Sequence, residues 1–201
     1  KVTAKAQAKE LARTMIEQQE ERAIRWFNNA TATAYALADG QPLASNSHPC
    51  KNASGTNNDT LADASSLTDP ENHKTMLKMF ADFMNHAGGP MKAYPTKGLT
   101  HRYNMSDIEE IYQSDRKANE FSNTKNVLPS IKWQYSTYCT DTNAWMMWDD
   151  RYDHIIFVRY QGIKKNAGQD KEKTLNFWYN VYEMYETACI PNVGIVFNEG
   201  A

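Results

Sequence analysis

Residues Cys139 to Tyr160 read CTDTNAWMMWDDRYDHIIFVRY, and the arrangement of the whole chain turns on them. Two apolar runs, Ala144 to Trp148 and His154 to Tyr160, flank a polar centre, Asp149-Asp150-Arg151-Tyr152-Asp153. Those central residue types let a backbone reverse, and the flanking runs are rich in the aromatic and β-branched residues that suit strands. The spacing predicts a β-hairpin with a five-residue connection. Leu175 to Tyr185, LNFWYNVYEMY, continues the pattern as a third strand, and Val193 to Phe197 as a fourth. The carboxyl-terminal third therefore reads as an antiparallel meander against which the rest of the chain packs.

The totals bound what such a chain does. At 201 residues it forms one domain or two small lobes with a real core. Lysine plus arginine is 22 against 24 acidic residues, a net charge of -2. A grip on nucleic acid through many phosphates needs a basic surplus that this chain lacks overall. The three cysteines, Cys50, Cys139 and Cys189, are widely spaced and odd in number, which argues against a disulfide framework and for reduced structural thiols. No apolar run approaches the roughly 20 residues that span a bilayer, and no signal peptide is visible, so synthesis in the cytoplasm fits. The chain opens inside a helical pattern at Lys1 without an initiating methionine. A fragment, a processed product and an incompletely traced protein are equally open readings of that start.

Going back to the beginning, Lys1 to Phe27 predicts one long helix: Ala4, Ala8, Leu11, Ala12, Met15, Ala23 and Trp26 fall near helical spacing, with no glycine or proline. Its apolar stripe is thin and largely alanine, suited to covering a surface closely. Asn28 to Leu43 has the composition of an extended segment ending at Asp39-Gly40. Ala44 to Pro70 is poorest in large hydrophobes and reads as a long loop. Asp69-Pro70 then opens a second helix through about Ala87, stopped by Gly88-Gly89-Pro90. After an extended stretch from Met91 to His101, Ser106 with Glu109 in capping-box position predicts a third helix to about Glu120. Phe121 to Pro129 is a polar loop, and Ser130 to Tyr138 enters the sheet.

Candidate chemistry is sparse. His48-Pro49-Cys50 has the look of a metal half-site, but nothing nearby supplies the further ligands. The histidines His48, His73, His86, His101 and His154 are scattered, and His154 suits packing at the start of a strand better than a general base. Asp149, Asp150 and Asp153 cluster at the predicted turn, without the glycine and terminal glutamate of a calcium loop, and read as a solvated turn. An enzyme using Asp149, Asp153 and His154 stays open only because those residues cluster. Neither a nucleophile elbow nor a phosphate-cradling glycine motif occurs. Four Asn-x-Ser/Thr matches, at Asn29, Asn52, Asn58 and Asn104, matter only for a secreted protein. Lys164, Lys165, Lys171 and Lys173 ring a loop with Gly162 and Gly168, a soluble hairpin tip or a salt-sensitive contact to a partner or DNA. No catalytic, cofactor-binding or metal-binding residue is assigned. The aromatics say more: Trp145, Trp148, Phe157, Phe177, Trp178, Tyr179, Tyr182 and Tyr185 place rings on both faces of the predicted strands. Either the chain covers both faces itself or a neighbouring subunit covers one.

Asp141-Thr142-Asn143-Ala144-Trp145, His154-Ile155-Ile156-Phe157 and Pro191-Asn192-Val193-Gly194-Ile195-Val196 resemble the carboxyl-terminal part of tailed-bacteriophage major capsid proteins, which have the Hong Kong 97 fold. Ala34-Tyr35-Ala36-Leu37-Ala38-Asp39-Gly40-Gln41-Pro42-Leu43 followed by Ser47-His48-Pro49 resembles the segment after that family's long spine helix. The likeness covers nearly the whole chain. It is carried by the order and spacing of short motifs.

The resemblance implies an α+β, Hong Kong 97-like fold: a long spine helix plus an axial domain with helices on an antiparallel or mixed sheet. The implied division is 1–48 spine helix and following segment of the peripheral domain, 49–70 flexible loop, 71–174 mainly axial domain, and 175–201 strands returning to the peripheral domain. By the same likeness Leu11, Met15 and Trp26 seat the spine helix on the sheet, and Trp145, Phe157 and Phe177 hold that sheet together. The implied function is a viral head subunit, not an enzyme and without a cofactor. It would assemble into hexamers and pentamers of an icosahedral virion shell around double-stranded DNA, enclosed without specific binding. Scaffold or decoration proteins are its other implied partners, and no membrane is involved. The encapsulin compartment, a related shell with protein cargo, is the alternative. Family members carry an amino-terminal arm and an extended loop before the spine helix, and neither is found in this sequence.

Overall fold

Uninterrupted helix-compatible residues carry the first helix almost as the sequence predicts: in the computed structural model α1 runs Val2–Asn28. The structure describes residues 2–50, 56–58, 60, 65–85, 87–114, 125–169, 177–190 and 194–200. After α1 come a 3-10 turn at Thr33–Tyr35, the short antiparallel pair β1 (His48–Pro49) and β2 (Thr56–Asn57), and helix α2 (Pro70–Asp82). Strand β3 (Lys97–His101), a 3-10 turn at Arg102–Asn104 and helix α3 (Met105–Gln113) follow. The remaining strands are β4 (Lys132–Ser136), β5 (Trp145–Trp148), β6 (Ile155–Gln169), β7 (Phe177–Cys189) and β8 (Ile195–Asn198). The class is mixed α+β.

Local chemistry explains the helix ends, and corrects some of them. Asp69 accepts a hydrogen bond from the Glu71 N–H at 2.9 Å, and Pro70 occupies the first helical position, so α2 starts where predicted. It stops at Asp82 instead of Ala87: Phe83 turns to extended backbone and buries its ring edge-on to Phe80, with centroids 5.5 Å apart. Ser106 does not cap α3. The helix begins at Met105, entered directly from the 3-10 turn, in which the His101 ring accepts from the Tyr103 N–H. Asn104, at the N-cap position, donates to the Thr100 hydroxyl and the Thr142 carbonyl. α3 ends at Gln113, and the predicted continuation over 115–120 lies outside the described residues. Asn28 to Leu43 is not extended either: the chain folds back on itself through the 3-10 turn and a tight turn at Gly40, whose φ of 80° suits glycine.

The predicted hairpin is the main correction. β5 does not pair with β6. It lies inside a four-stranded sheet of order β4-β3-β5-β8, antiparallel to β3 on one edge and to β8 on the other, while β3 and β4 run parallel. With both backbone edges taken, β5 has none left for β6. β6 pairs instead with β7 in a separate two-stranded sheet.

Two compact units result: Lys1–Ala23 with Ile155–Ala188, and Ile24–His154 with Cys189–Ala201. In the second unit the four-stranded sheet is covered on both faces. Trp145, Met147 and Val196 face Met76 and Phe80 of α2 and Ile108 of α3. Met146, Ile195 and Phe197 face Ile24 and Phe27 from the last turn of α1, with Leu43 beside them. Phe27 meets Phe197 edge-on at 5.4 Å. Burying a phenylalanine such as Phe27 is worth about 2–3 kcal/mol. Cys50 and Cys139 are buried here as free thiols, and Cys189 is free and half-buried.

The first unit contains most of α1 and the β6–β7 ribbon. Seven residues separate the two strands, too few for a parallel crossover, so the pair is antiparallel. Two contacts agree with that: Phe157 stacks on Tyr185 at 4.8 Å, and Arg159 lies 3.9 Å from the Glu183 carboxylate. Moving two residues forward on β6 moves two back on β7. Contrary to the sequence-based expectation, Phe157 therefore belongs to a different sheet from Trp145. The Phe177 backbone belongs to β7, in the ribbon, while its side chain lies outside the described residues.

Candidate functional site

Side chains alternate along a strand, so the ribbon has two distinct faces. One carries Glu183 and Tyr185. Gln19 of α1 donates to both Glu183 oxygens at 2.8 and 2.7 Å, and the Tyr185 hydroxyl donates to the Gln18 carbonyl at 3.3 Å. That face is the helix-covered one. By the same alternation Ile156, Val158, Tyr160, Tyr182 and Met184 share the other face. All five are exposed, at 36% for Ile156, 37% for Val158, 69% for Tyr160, 42% for Tyr182 and 58% for Met184. They make one apolar stripe on a ribbon that no further strand of the described residues joins. α1 is itself thinly seated. Leu11, expected to anchor it, is largely exposed, Met15 is half-buried, and Trp26 packs in the second unit edge-on to Tyr35. Ile24 and Phe27, not singled out from the sequence, are the buried residues of its last turn.

The polar centre after β5, expected as a solvated turn, is exposed at Asp150, Arg151 and Asp153 but not at Asp149. Asp149 is fully buried. Its carboxylate accepts from the Tyr94 N–H at 2.8 Å, the Arg151 N–H at 3.1 Å and the Arg151 Nε at 2.9 Å. Burial raises its pKa, and the hydrogen bonds and charge of Arg151, with the Tyr94 N–H, outweigh burial and hold it below the usual value. Arg151 also donates to the Lys92 carbonyl, tying the turn to the segment before β3. Asp150 remains exposed, accepting from Thr96 at 2.8 Å with Lys97 at 3.5 Å. His154 donates through Nε2 to the Asp149 carbonyl at 3.0 Å, not to its carboxylate, and burial lowers its pKa. Asp153 is exposed. Asp149 is thus occupied as a structural acceptor, and the three residues do not form an acid–base set.

The other singled-out residues are dispersed. His48 bridges the Asp39 carboxylate at 2.7 Å and the Leu43 carbonyl at 3.2 Å, so it closes a loop and does not point at Cys50. His101 holds the turn before α3, and His86 lies outside the described residues. Among the described residues no three His, Cys, Asp or Glu side chains gather as metal ligands, and no helix is long and apolar enough to cross a membrane. Gly162 to Gly168 form no loop: with Lys164 and Lys165 they lie within β6, and both lysines are exposed. Lys171 and Lys173 lie outside the described residues, as do the side chains of Trp178 and Tyr179.

A second feature was not anticipated from the sequence. α3 and the edge strand β4 line a half-open cavity of about 290 Å³. The helix contributes Ile108, Glu109 and Tyr112, one turn's worth of a single face. The strand side contributes Ile131, Trp133 and Tyr135, alternate residues and therefore also one face. Behind the wall, His73 donates through Nε2 to the Leu67 carbonyl at 2.6 Å, which leaves Nδ1 to accept from the Tyr112 hydroxyl at 2.9 Å. That neutral tautomer suits a ring whose pKa burial lowers to about 4. Burial raises the Tyr112 pKa, which the nearby Trp133 N–H, making no hydrogen bond of normal geometry, only partly offsets.

No family model matches the chain, and no curated protein is similar to it at a significant level.

Proposed function

We propose that this chain is the structural subunit of a closed protein shell, the major head protein of a tailed bacteriophage. The observation that carries the reading is the exposed stripe of Ile156, Val158, Tyr160, Tyr182 and Met184 on the ribbon. A two-stranded ribbon is at best marginal in water by itself, and contiguous exposed apolar surface marks a contact. A neighbouring subunit laid on that face buries the stripe. The sequence motifs supply the identity: their order resembles the Hong Kong 97-like capsid family. The grouping of most of a long helix with two long strands in a unit of its own supports the same likeness. On this reading the subunit forms hexamers and pentamers of an icosahedral shell. It encloses double-stranded DNA without gripping it, in keeping with a net charge of -2.

Light scattering after size exclusion, with negative-stain microscopy, tests the proposal. Rings of five or six or closed particles are expected from the protein, and Val158→Asp with Met184→Asp should reduce them to monomer. A parent protein that stays strictly monomeric at high concentration overturns the reading. Particles that co-purify with a protein cargo instead of DNA move it to the encapsulin alternative.

A further inference from the structure

We infer that the cavity between α3 and β4 is a binding site for a small organic cation, an alkylammonium or guanidinium head of side-chain size. Three of its wall residues are aromatic: Tyr112, Trp133 and Tyr135. Tyr112 and Trp133 stand at 57° to each other with centroids 5.7 Å apart, in mutual contact, so they form one continuous aromatic wall against which a guest lies. Aromatic faces carry negative electrostatic potential and attract cations.

The wall also holds a carboxylate. Glu109 lies on the same helical face as Tyr112 and forms no salt bridge among the described residues. Its charge reaches the strand side of the cavity: after burial, it is the cause that raises the Tyr135 pKa. A half-buried anion beside three rings favours a positive guest over a neutral one, and it repels an anionic one. The remaining lining is apolar at Ile108 and Ile131 and neutral polar at Gln113 and Ser130, so Glu109 is its one charged residue.

Size narrows the guest further. At about 290 Å³ the space is at the lower edge of small-molecule pockets, which run from about 300 Å³ upward. It accommodates a trimethylammonium or a guanidinium group with a short stem. The rings are held ready for it. Trp133 lies across Gly98, where any Cβ would meet its ring at 2.7 Å, and Tyr112 is anchored by its hydrogen bond to His73. A preorganised site spends little on ordering its side chains when a guest arrives.

The test uses the intact chain with tryptophan labelled by ¹⁵N, and follows the indole N–H resonance of Trp133. Choline and N-ethylguanidinium are titrated separately, and 3,3-dimethylbutanol serves as the neutral match for choline. The expected result is a saturable shift of the Trp133 resonance with at least one cation and little with the alcohol. Glu109→Gln, a change on the half-buried rim of α3, should weaken that cation about five- to tenfold while the rest of the spectrum stays in place. Whichever of choline and N-ethylguanidinium binds tighter identifies the head group. Equal shifts with choline and the alcohol, no shift with either cation, or an unchanged affinity in Glu109→Gln overturns the inference. None of these outcomes depends on whether the protein forms shells.

Discussion

Gly98 and Trp133 are register partners across the parallel pair β3–β4, and the indole ring occupies the space a side chain at Gly98 would need. A Cβ there would lie 2.7 Å from both Cε3 and Cζ3 of Trp133 and 2.8 Å from Cδ2. These are rigid ring atoms in a half-buried position, so they cannot simply swing aside. Gly98→Ala is therefore expected to destabilise the second unit by about 1–3 kcal/mol, the usual range for overpacking, measured as a shift in the urea midpoint. It should also displace the Trp133 indole resonance. A midpoint unchanged by the substitution would show that the ring has room to move.

Asp149 and Arg151 make an uneven pair, and their substitutions should differ. Asp149→Ala leaves the part-buried N–H groups of Tyr94 and Arg151 without this acceptor, which costs about 1–3 kcal/mol. The Arg151 side chain is more than half exposed, and without it the Asp149 carboxylate keeps the Tyr94 and Arg151 backbone N–H donors, so Arg151→Ala should cost less than Asp149→Ala. Asp149→Asn keeps an acceptor without the charge and should fall between the two. Equal losses at the two positions, by chemical denaturation, would refute the turn as described.

Stability should erode in acid through His73. Its folded pKa of about 4 lies below the ordinary 6.5, so the unfolded chain takes up a proton first as pH falls. The stability contributed by the neutral ring is complete above 6.5 and is lost progressively down to about 4, a loss of roughly 3 kcal/mol. His73→Gln still donates to Leu67 and accepts from Tyr112 but does not titrate, so its stability should be flatter across that window. Asp149, whose pKa is held low, works in the same direction further down: its contribution is present above the ordinary carboxylate range and disappears as pH drops through its folded value. Denaturation midpoints at pH 7 and pH 4 for the parent and His73→Gln give the comparison.

The ribbon stripe should be detectable before any assembly. Unassembled protein is expected to bind a hydrophobic dye, and Tyr160→Ser with Met184→Ser should cut that fluorescence severalfold while leaving the circular dichroism of the helices unchanged. Dye binding that persists at full strength would place the exposed apolar surface elsewhere.

Much of the fold was legible because the signals were local. The unbroken run of α1, and Asp69-Pro70 at the start of α2, are decided by neighbours in sequence. Strand pairing is not. Trp145 to Trp148 followed by polar turn residues and a second apolar run has every local mark of a hairpin, yet β5 finds its partners in β3 and β8. One sequence cue does point to the observed place: WMMW does not alternate, as suits a strand buried on both faces. Val158-Arg159-Tyr160 and Tyr182-Glu183-Met184 do alternate, as suits a ribbon covered on one face. The burial of Asp149 has no such cue, because its acceptor role depends on Tyr94, far away in the chain. The α3–β4 cavity was missed for the same reason: its helix face and strand face meet only after β4 pairs with β3.

The placement of β8 has a consequence for the order of events during synthesis. Each of its four residues is buried, and it supplies the second edge partner of β5 together with part of both core layers. A ribosome must therefore have passed Asn198 before the four-stranded sheet can close. The first unit waits almost as long, since α1 is made at once but its ribbon partners arrive only with residues 155–188. Nascent chains thus hold their sticky surfaces unfinished until nearly all of this sequence has been translated. Chains cut short upstream lack the strand that completes the sheet and are exposed to quality-control proteases.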